Sequence, residues 1–257
     1  MRKITLSIIL YFLCLGLNGC SQTSDDYDSI RPSAGTNDVA QANLNLGIAY
    51  LRTGEFEKSL EKLQKAQAAD PHYPPIYNTL GVLYQQLGNR VKAEEYYLRA
   101  LSLNGSDSST LNNYGQFLCQ ESRFDEAEVT FLKAANNPLY ATPEIALSNA
   151  GTCAMKQGKL DTAEIYFRDA LGNNPRLAIA LLQMAEISYA TGNYLSARGY
   201  LQRYLETGSH TAKSLWLGIQ IENELGDKNV LSSYKMLLRN KFPDSKETGL
   251  LKDSMVK

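Results

Sequence analysis

Residues Asn45–Pro71 read NLGIAYLRTGEFEKSLEKLQKAQAADP and residues Thr79–Gly105 read TLGVLYQQLGNRVKAEEYYLRALSLNG. Superposed, they place Gly47 over Gly81, Tyr50 over Tyr84, Gly54 over Gly88 and Ala66 over Ala100, always at the same interval. A third stretch, NYGQFLCQESRFDEAEVTFLKAANNP, continues the series with Gly115, Ala127 and Phe131. A fourth unit holds Gly151, Ala163, Phe167, Ala170 and Pro175 in the same places, but its glycine comes late by two positions, so two extra residues sit near Thr142-Pro143. A fifth carries Ala185, Ala197 and Leu201; a sixth and weaker one carries Gly218, Tyr234 and Pro243.

A fixed period of about 34 residues, with small residues on one segment and aromatic or Leu residues on the next, resembles the tetratricopeptide pattern. Each unit then consists of two helices, and the small residues stand where the helices nearly touch. The bulky residues, among them Leu63, Tyr97, Phe131 and Phe167, fill the space between them. Thr53-Gly54, Gln157-Gly158 and Thr191-Gly192-Asn193 mark turns within units, since Gly and Asn tolerate positive φ. Asp70-Pro71 and Asn174-Pro175 close units, because proline disfavours helix in the residue before it. The expected fold is all-α, a superhelical solenoid of about six repeats over residues 40–244. The approximate units are 40–73, 74–107, 108–141, 144–177, 178–210 and 211–244, followed by a polar tail, 245–257.

Residues 1–39 follow a different rule. Arg2 and Lys3 precede an apolar run, Ile4 to Leu17, that is broken only by Thr5 and Ser7. The run is too short for a bilayer span, which takes about 20 residues, and it has the proportions of a secretory signal. Leu17-Asn18-Gly19-Cys20 resembles the bacterial lipobox, although Asn18 is unusual at its position. On that resemblance residues 1–19 are a cleaved signal, Cys20 carries lipid, and residues 20–39, rich in Ser, Thr and Asp, form a polar linker. Ser21 after the cysteine suits outer-membrane sorting in such lipoproteins, and a multi-chain anchor holds a protein stably.

Composition excludes several classes. The formal net charge is −1, and loss of Arg2 and Lys3 with the signal leaves −3, which is no footprint for nucleic acid. His72 and His210 are the only histidines, and no short-spaced Cys/His set for a metal exists. Motifs for nucleophilic or phosphate chemistry are absent as well. No catalytic residue, metal, cofactor or small-molecule substrate is therefore expected. Glu94-Glu95 and Glu126 with Glu128 read as solvated charges on second helices. Most of the tyrosines read as packing residues.

Cys119 and Cys153 remain in the mature body, one repeat period apart on successive first helices. They are either a disulfide across neighbouring helices or two buried free cysteines acting as small apolar residues. Alignment of the units places Leu44, Ile48, Leu51, Asn78, Val82 and Gln85 on the concave side of units one and two. Asn112, Gln116, Ser148, Thr152 and Met155 occupy that side of units three and four. An apolar end beside amides and hydroxyls suits an extended or helical peptide. The lysine and arginine set that would hold a C-terminal carboxylate is missing.

The signal with its lipobox, the six units, and a last unit reading LWLGIQIENELGD followed by LLRNKFPDS resemble the type IV pilus biogenesis and stability lipoproteins. The resemblance implies a non-enzymatic pilotin. Such a protein is held to the outer membrane by lipid, faces the periplasm, and escorts and assembles the type IV pilus secretin for pilus biogenesis and twitching motility. The rival reading is another envelope repeat lipoprotein, an adaptor for peptidoglycan synthesis or outer-membrane assembly.

Overall fold

The computed structural model describes residues 36–208 and 210–254, so Cys20 with its signal and most of the linker lie outside the described residues. Within that range the chain forms thirteen α-helices and no strand. They are α1 (Thr36–Arg52), α2 (Phe56–Ala69), α3 (Pro74–Gln86), α4 (Arg90–Leu103), α5 (Ser108–Gln120), α6 (Phe124–Ala135), α7 (Pro143–Lys156), α8 (Leu160–Asn173), α9 (Ala178–Ala190), α10 (Tyr194–Leu205), α11 (Ala212–Leu225), α12 (Lys228–Lys241) and α13 (Lys246–Asp253). Each odd helix packs on the next even one, and successive odd helices also touch, so the pairs stack as a solenoid.

The pairing inside a unit is set by close approach. A Cβ on Gly81 would stand 2.7 Å from the Tyr97 ring, and one on Gly115 would stand 2.7 Å from the Phe131 ring. Only glycine leaves room for those rings, which are themselves buried, Tyr97 at 0% and Phe131 at 1% exposure. Burial of such a side chain stabilises the fold by about 1.5–3 kcal/mol. Helix starts are capped locally: Asn89 accepts from the Lys92 N–H, Asp107 from Thr110, and Thr211 and Ser214 form a reciprocal capping box. The turn within unit two uses Gly88 at φ 72°, whereas unit three places Ser122 at φ 62° in the equivalent turn.

Two expectations about the ends are corrected. The first helix begins at Thr36, inside the stretch read as linker. The polar tail is also largely helical: α13 takes the seat of a seventh first helix against α11 and α12. Its start is capped by Ser245, Thr248 donates to the Phe242 carbonyl at 2.7 Å, and Leu251 is fully buried with Leu215, Ile219, Tyr234 and Leu238. The last pair would otherwise expose that apolar face to water, and α13 covers it with Leu251 while its cap and the buried Thr248 satisfy the polar groups at its start.

The two extra residues lie in the α6–α7 connection. Asn137 pins this longer loop by donating to the Ser106 carbonyl at 3.1 Å and to the Ser108 hydroxyl at 2.9 Å. No described helix is long and apolar enough to cross a membrane.

Candidate protein-binding groove

The concave face is built by the odd helices. Relative to the small residue of each unit, the sequence placed the groove at the third position before it and at the first and fourth after it. The structure divides that set. Leu44 and Leu51 lie in the core with Ile76, Tyr77 and Leu80 of the next unit, at 2% and 8% exposure, and Asn112 is 7% exposed. These three do not face the groove. Ser148 is buried as well, and Met155 is half-buried against the core.

The reason is lateral packing. Successive first helices touch side by side, so the flank at the third position before and the fourth after the small residue becomes a seam between helices. The open stripe runs through the second position before, the first after and the fifth after, a rotation of roughly 65° at about 100° per residue. Ile48, Val82, Gln116 and Thr152 remain on it, all half-buried, and it gains Asn113, Asn149, Gln86, Gln120 and Lys156. Sequence contained a usable signal for the missed amides, because Gln86 and Gln120 occupy the same place in successive units.

Amide side chains stitch the seams. Asn113 donates to Asn78 at 3.0 Å, Asn149 to Asn112 at 2.9 Å, and Gln85 to Gln120 at 2.7 Å. Tyr97 donates its hydroxyl to Gln85 at 2.6 Å, and burial raises the affinity of that phenol for its proton. A cleft of about 230 Å³ opens above these pairs, lined by Val82, Gln85, Gln86, Asn113, Gln116 and Gln120 with Tyr97 beneath. Next to it lies a smaller cleft of about 100 Å³ that shares Gln116 and Gln120 and adds Asn149, Thr152 and Lys156. Lys156 is the one charged side chain lining either cleft.

Cys119 and Cys153 are joined by a disulfide that floors the second cleft, with Cα atoms 5.9 Å apart. Of the two alternatives left open by the sequence, the structure holds the bridge. The histidines lie elsewhere, His72 exposed between α2 and α3 and His210 just before α11. Among the described residues no three His, Cys, Asp or Glu side chains gather to hold a metal ion.

Two tetratricopeptide-repeat family models match the chain, one over residues 38–105 and the other over residues 78–141 and 148–211. The type IV pilus assembly protein PilF of Pseudomonas aeruginosa is 30% identical over 239 residues, covering 93% of this chain and 94% of PilF. The solved structure of P. aeruginosa PilF superposes with a TM-score of 0.76 at 29% identity, over 85% of this chain and 99% of PilF. PilW, described as a widely conserved type IV pilus biogenesis factor, superposes at 0.74 with 30% identity, over 84% of this chain and 99% of PilW.

Proposed function

The chain belongs to the tetratricopeptide-repeat proteins of type IV pilus biogenesis, and from that premise we propose that it is the pilotin of a type IV pilus secretin. The observation that carries this reading is the near end-to-end match to PilF, a pilus assembly protein, in both sequence and fold. A shared repeat alone would align only the repeated units.

In this reading the protein is a scaffold without catalysis. Lipid on Cys20 holds it to the periplasmic face of the outer membrane, and the linker before α1 sets its reach. The solenoid binds secretin subunits and brings them to the membrane, where they oligomerise into the pilus pore. The partner surface includes the groove residues Ile48, Val82, Gln85 and Gln116. Clefts lined by neutral side chains apart from Lys156 support a protein partner over nucleic acid or a charged small molecule.

The test is deletion of the gene, followed by immunoblotting of outer-membrane fractions for heat-stable secretin oligomers. The oligomers should fall at least tenfold and twitching should stop; normal oligomers at normal abundance would refute the pilotin role. Cys20→Ala should abolish incorporation of labelled palmitate and leave a folded protein that delivers secretin poorly.

A further inference from the structure

We propose that one edge of the solenoid, away from the concave groove, carries a second docking site: a cleft between α6, α7 and α8 that takes an arginine side chain of a partner protein. The proposal rests on the reading that the chain binds another protein, and it adds a surface that the repeat itself does not supply.

The cleft lies where the repetition is interrupted. Residues 136–142 separate α6 from α7, whereas residues 70–73 separate α2 from α3 and residues 174–177 separate α8 from α9. A cavity of about 470 Å³ opens between this longer connection, the start of α7 and the C-terminal part of α8. That size is ordinary for a ligand site, at ~300–1,000 Å³. Its walls are tied down locally. Asn137 is anchored on Ser106 and Ser108, and its side-chain oxygen accepts from the Leu139 N–H at 3.0 Å. The Tyr140 ring packs against Leu111, Ala134 and Ala146. A wall fixed before the ligand arrives lowers the ordering cost of binding.

One residue of the lining has no structural reason to be what it is. Gly81 and Gly115 make room for rings, but a Cβ on Gly172 would meet nothing within 4 Å. The corresponding places in α2 and α4 hold Ala68 and Ser102, so the helix does not require glycine there. Glycine weakens a helix relative to alanine. At Gly172 it keeps the cleft wall low and leaves the backbone of the last turn open to a ligand.

The polar groups of the cleft are mostly acceptors. The C-terminal ends of both α6 and α8 reach it, through Asn136 and through Gly172 and Asn173, and helix C-termini carry unsatisfied carbonyls and partial negative charge. Asn173 donates its amide nitrogen to the Asp169 carbonyl at 2.9 Å, which leaves the amide oxygen free. The exposed Asp169 carboxylate has no ion-pair partner among the described residues. Two features of opposite sign are already neutralised. Arg168 donates to Glu164 at 2.5 Å, and α7, which starts here, opens on Pro143, without an N–H, followed by Glu144. The complement of such a site is a cation that only donates. A guanidinium has five donors and no acceptor, stacks on an aromatic face such as Tyr140, and is more weakly hydrated than an ammonium, so arginine fits better than lysine. The surroundings favour a side chain on a protein over free arginine: Leu139, between the lining residues Pro138 and Tyr140, is 90% exposed and offers an apolar contact to the residues flanking that arginine.

The experiment is fluorescence anisotropy of the full chain in detergent with labelled heptapeptides of Gly, Ser and Ala whose central residue is arginine, citrulline, lysine or glutamate. The arginine peptide should bind, and citrulline, which keeps the shape and loses the charge, should bind at least tenfold more weakly. Lysine should be severalfold weaker than arginine, and glutamate weakest. Asp169→Asn should weaken the arginine peptide about tenfold. Gly172→Ala should weaken it at least threefold while raising the Tm, a combination that a merely structural role for the glycine would not give; circular dichroism checks that both variants stay helical. No binding of the arginine peptide, equal binding of the citrulline peptide, or binding unchanged by Asp169→Asn overturns the proposal. A pilotin without this second site would still lose its secretin oligomers on gene deletion, so failure here and failure of the pilotin reading are distinguishable.

Discussion

The seam between units two and three and the seam between units three and four solve one packing problem by different chemistry. At both, an asparagine pair bridges the helices in the same register, Asn113 to Asn78 and Asn149 to Asn112. Beyond that pair they part. At the first seam Gln85 donates to Gln120 across α3 and α5. At the second, the place held by Gln85 is taken by Cys119, bonded covalently to Cys153. The second seam is also the one whose connecting loop carries the two extra residues, and a longer connection restrains its two ends less. Regular repetition allows weak seams in parallel; a break in it is met by one strong bond.

The largest effect should come from cutting the strong seam. Replacing both Cys119 and Cys153 with Ser should lower stability by about 3–4 kcal/mol by the chain-entropy model, read as a shift in urea midpoint. Dithiothreitol should reproduce the shift in the parent and leave the double variant unmoved; equal sensitivity in both would show that the bridge is not what holds this seam. Gly115→Ala comes next, at about 1–3 kcal/mol, because the new Cβ would stand 2.7 Å from the buried Phe131 ring, which must shift to make room.

The amide seams should break in graded fashion. Asn149→Ala leaves the buried Asn112 oxygen without its partner and should cost about 1–3 kcal/mol, whereas Asn113→Ala leaves the half-buried Asn78, which water can reach, and should cost about 1 kcal/mol or less. Equal losses at the two positions would erase the distinction between buried and wetted seams. Smallest of all is Ser148→Ala. The Ser148 hydroxyl is buried with no hydrogen-bond partner among the described residues, so its removal should stabilise the protein slightly, by up to ~1 kcal/mol.

The same middle units should dominate the alkaline limit. Burial first, and then its hydrogen bond to Glu94, push the Tyr114 phenol up to about 12 from an ordinary 10. A group whose folded pKa is raised contributes stability that is fully present below its unfolded pKa and lost as pH rises through the folded one. Unfolding followed by far-ultraviolet circular dichroism should therefore show stability falling from about pH 10 to about pH 12, and Tyr114→Phe should flatten that fall.

Most of the architecture was legible because it rests on a local rule repeated. Gly81 with Tyr97 and Gly115 with Phe131 are a small residue and a large one at constant separation, and a spacing of that kind is visible without coordinates. The ends were harder. Nothing in KETGLLKD announces a core helix, since its one buried leucine matters only when α11 and α12 present an open face to it.

The groove was half legible. Sequence alone determined that the first helices carry the concave face and that its middle is rich in amides. It could not determine which stripe of each helix is open, because that depends on how far one helix leans on the next. A helix position reports its angle about its own axis; the seam is a property of two axes. The lateral contacts that bury Leu44, Leu51 and Asn112, and that leave Asn113, Gln86 and Gln120 facing the cleft, exist only once the units are stacked. Sequence likewise brought Cys119 and Cys153 to adjacent helices, and tertiary packing set their Cα atoms 5.9 Å apart, which is what makes them one bond.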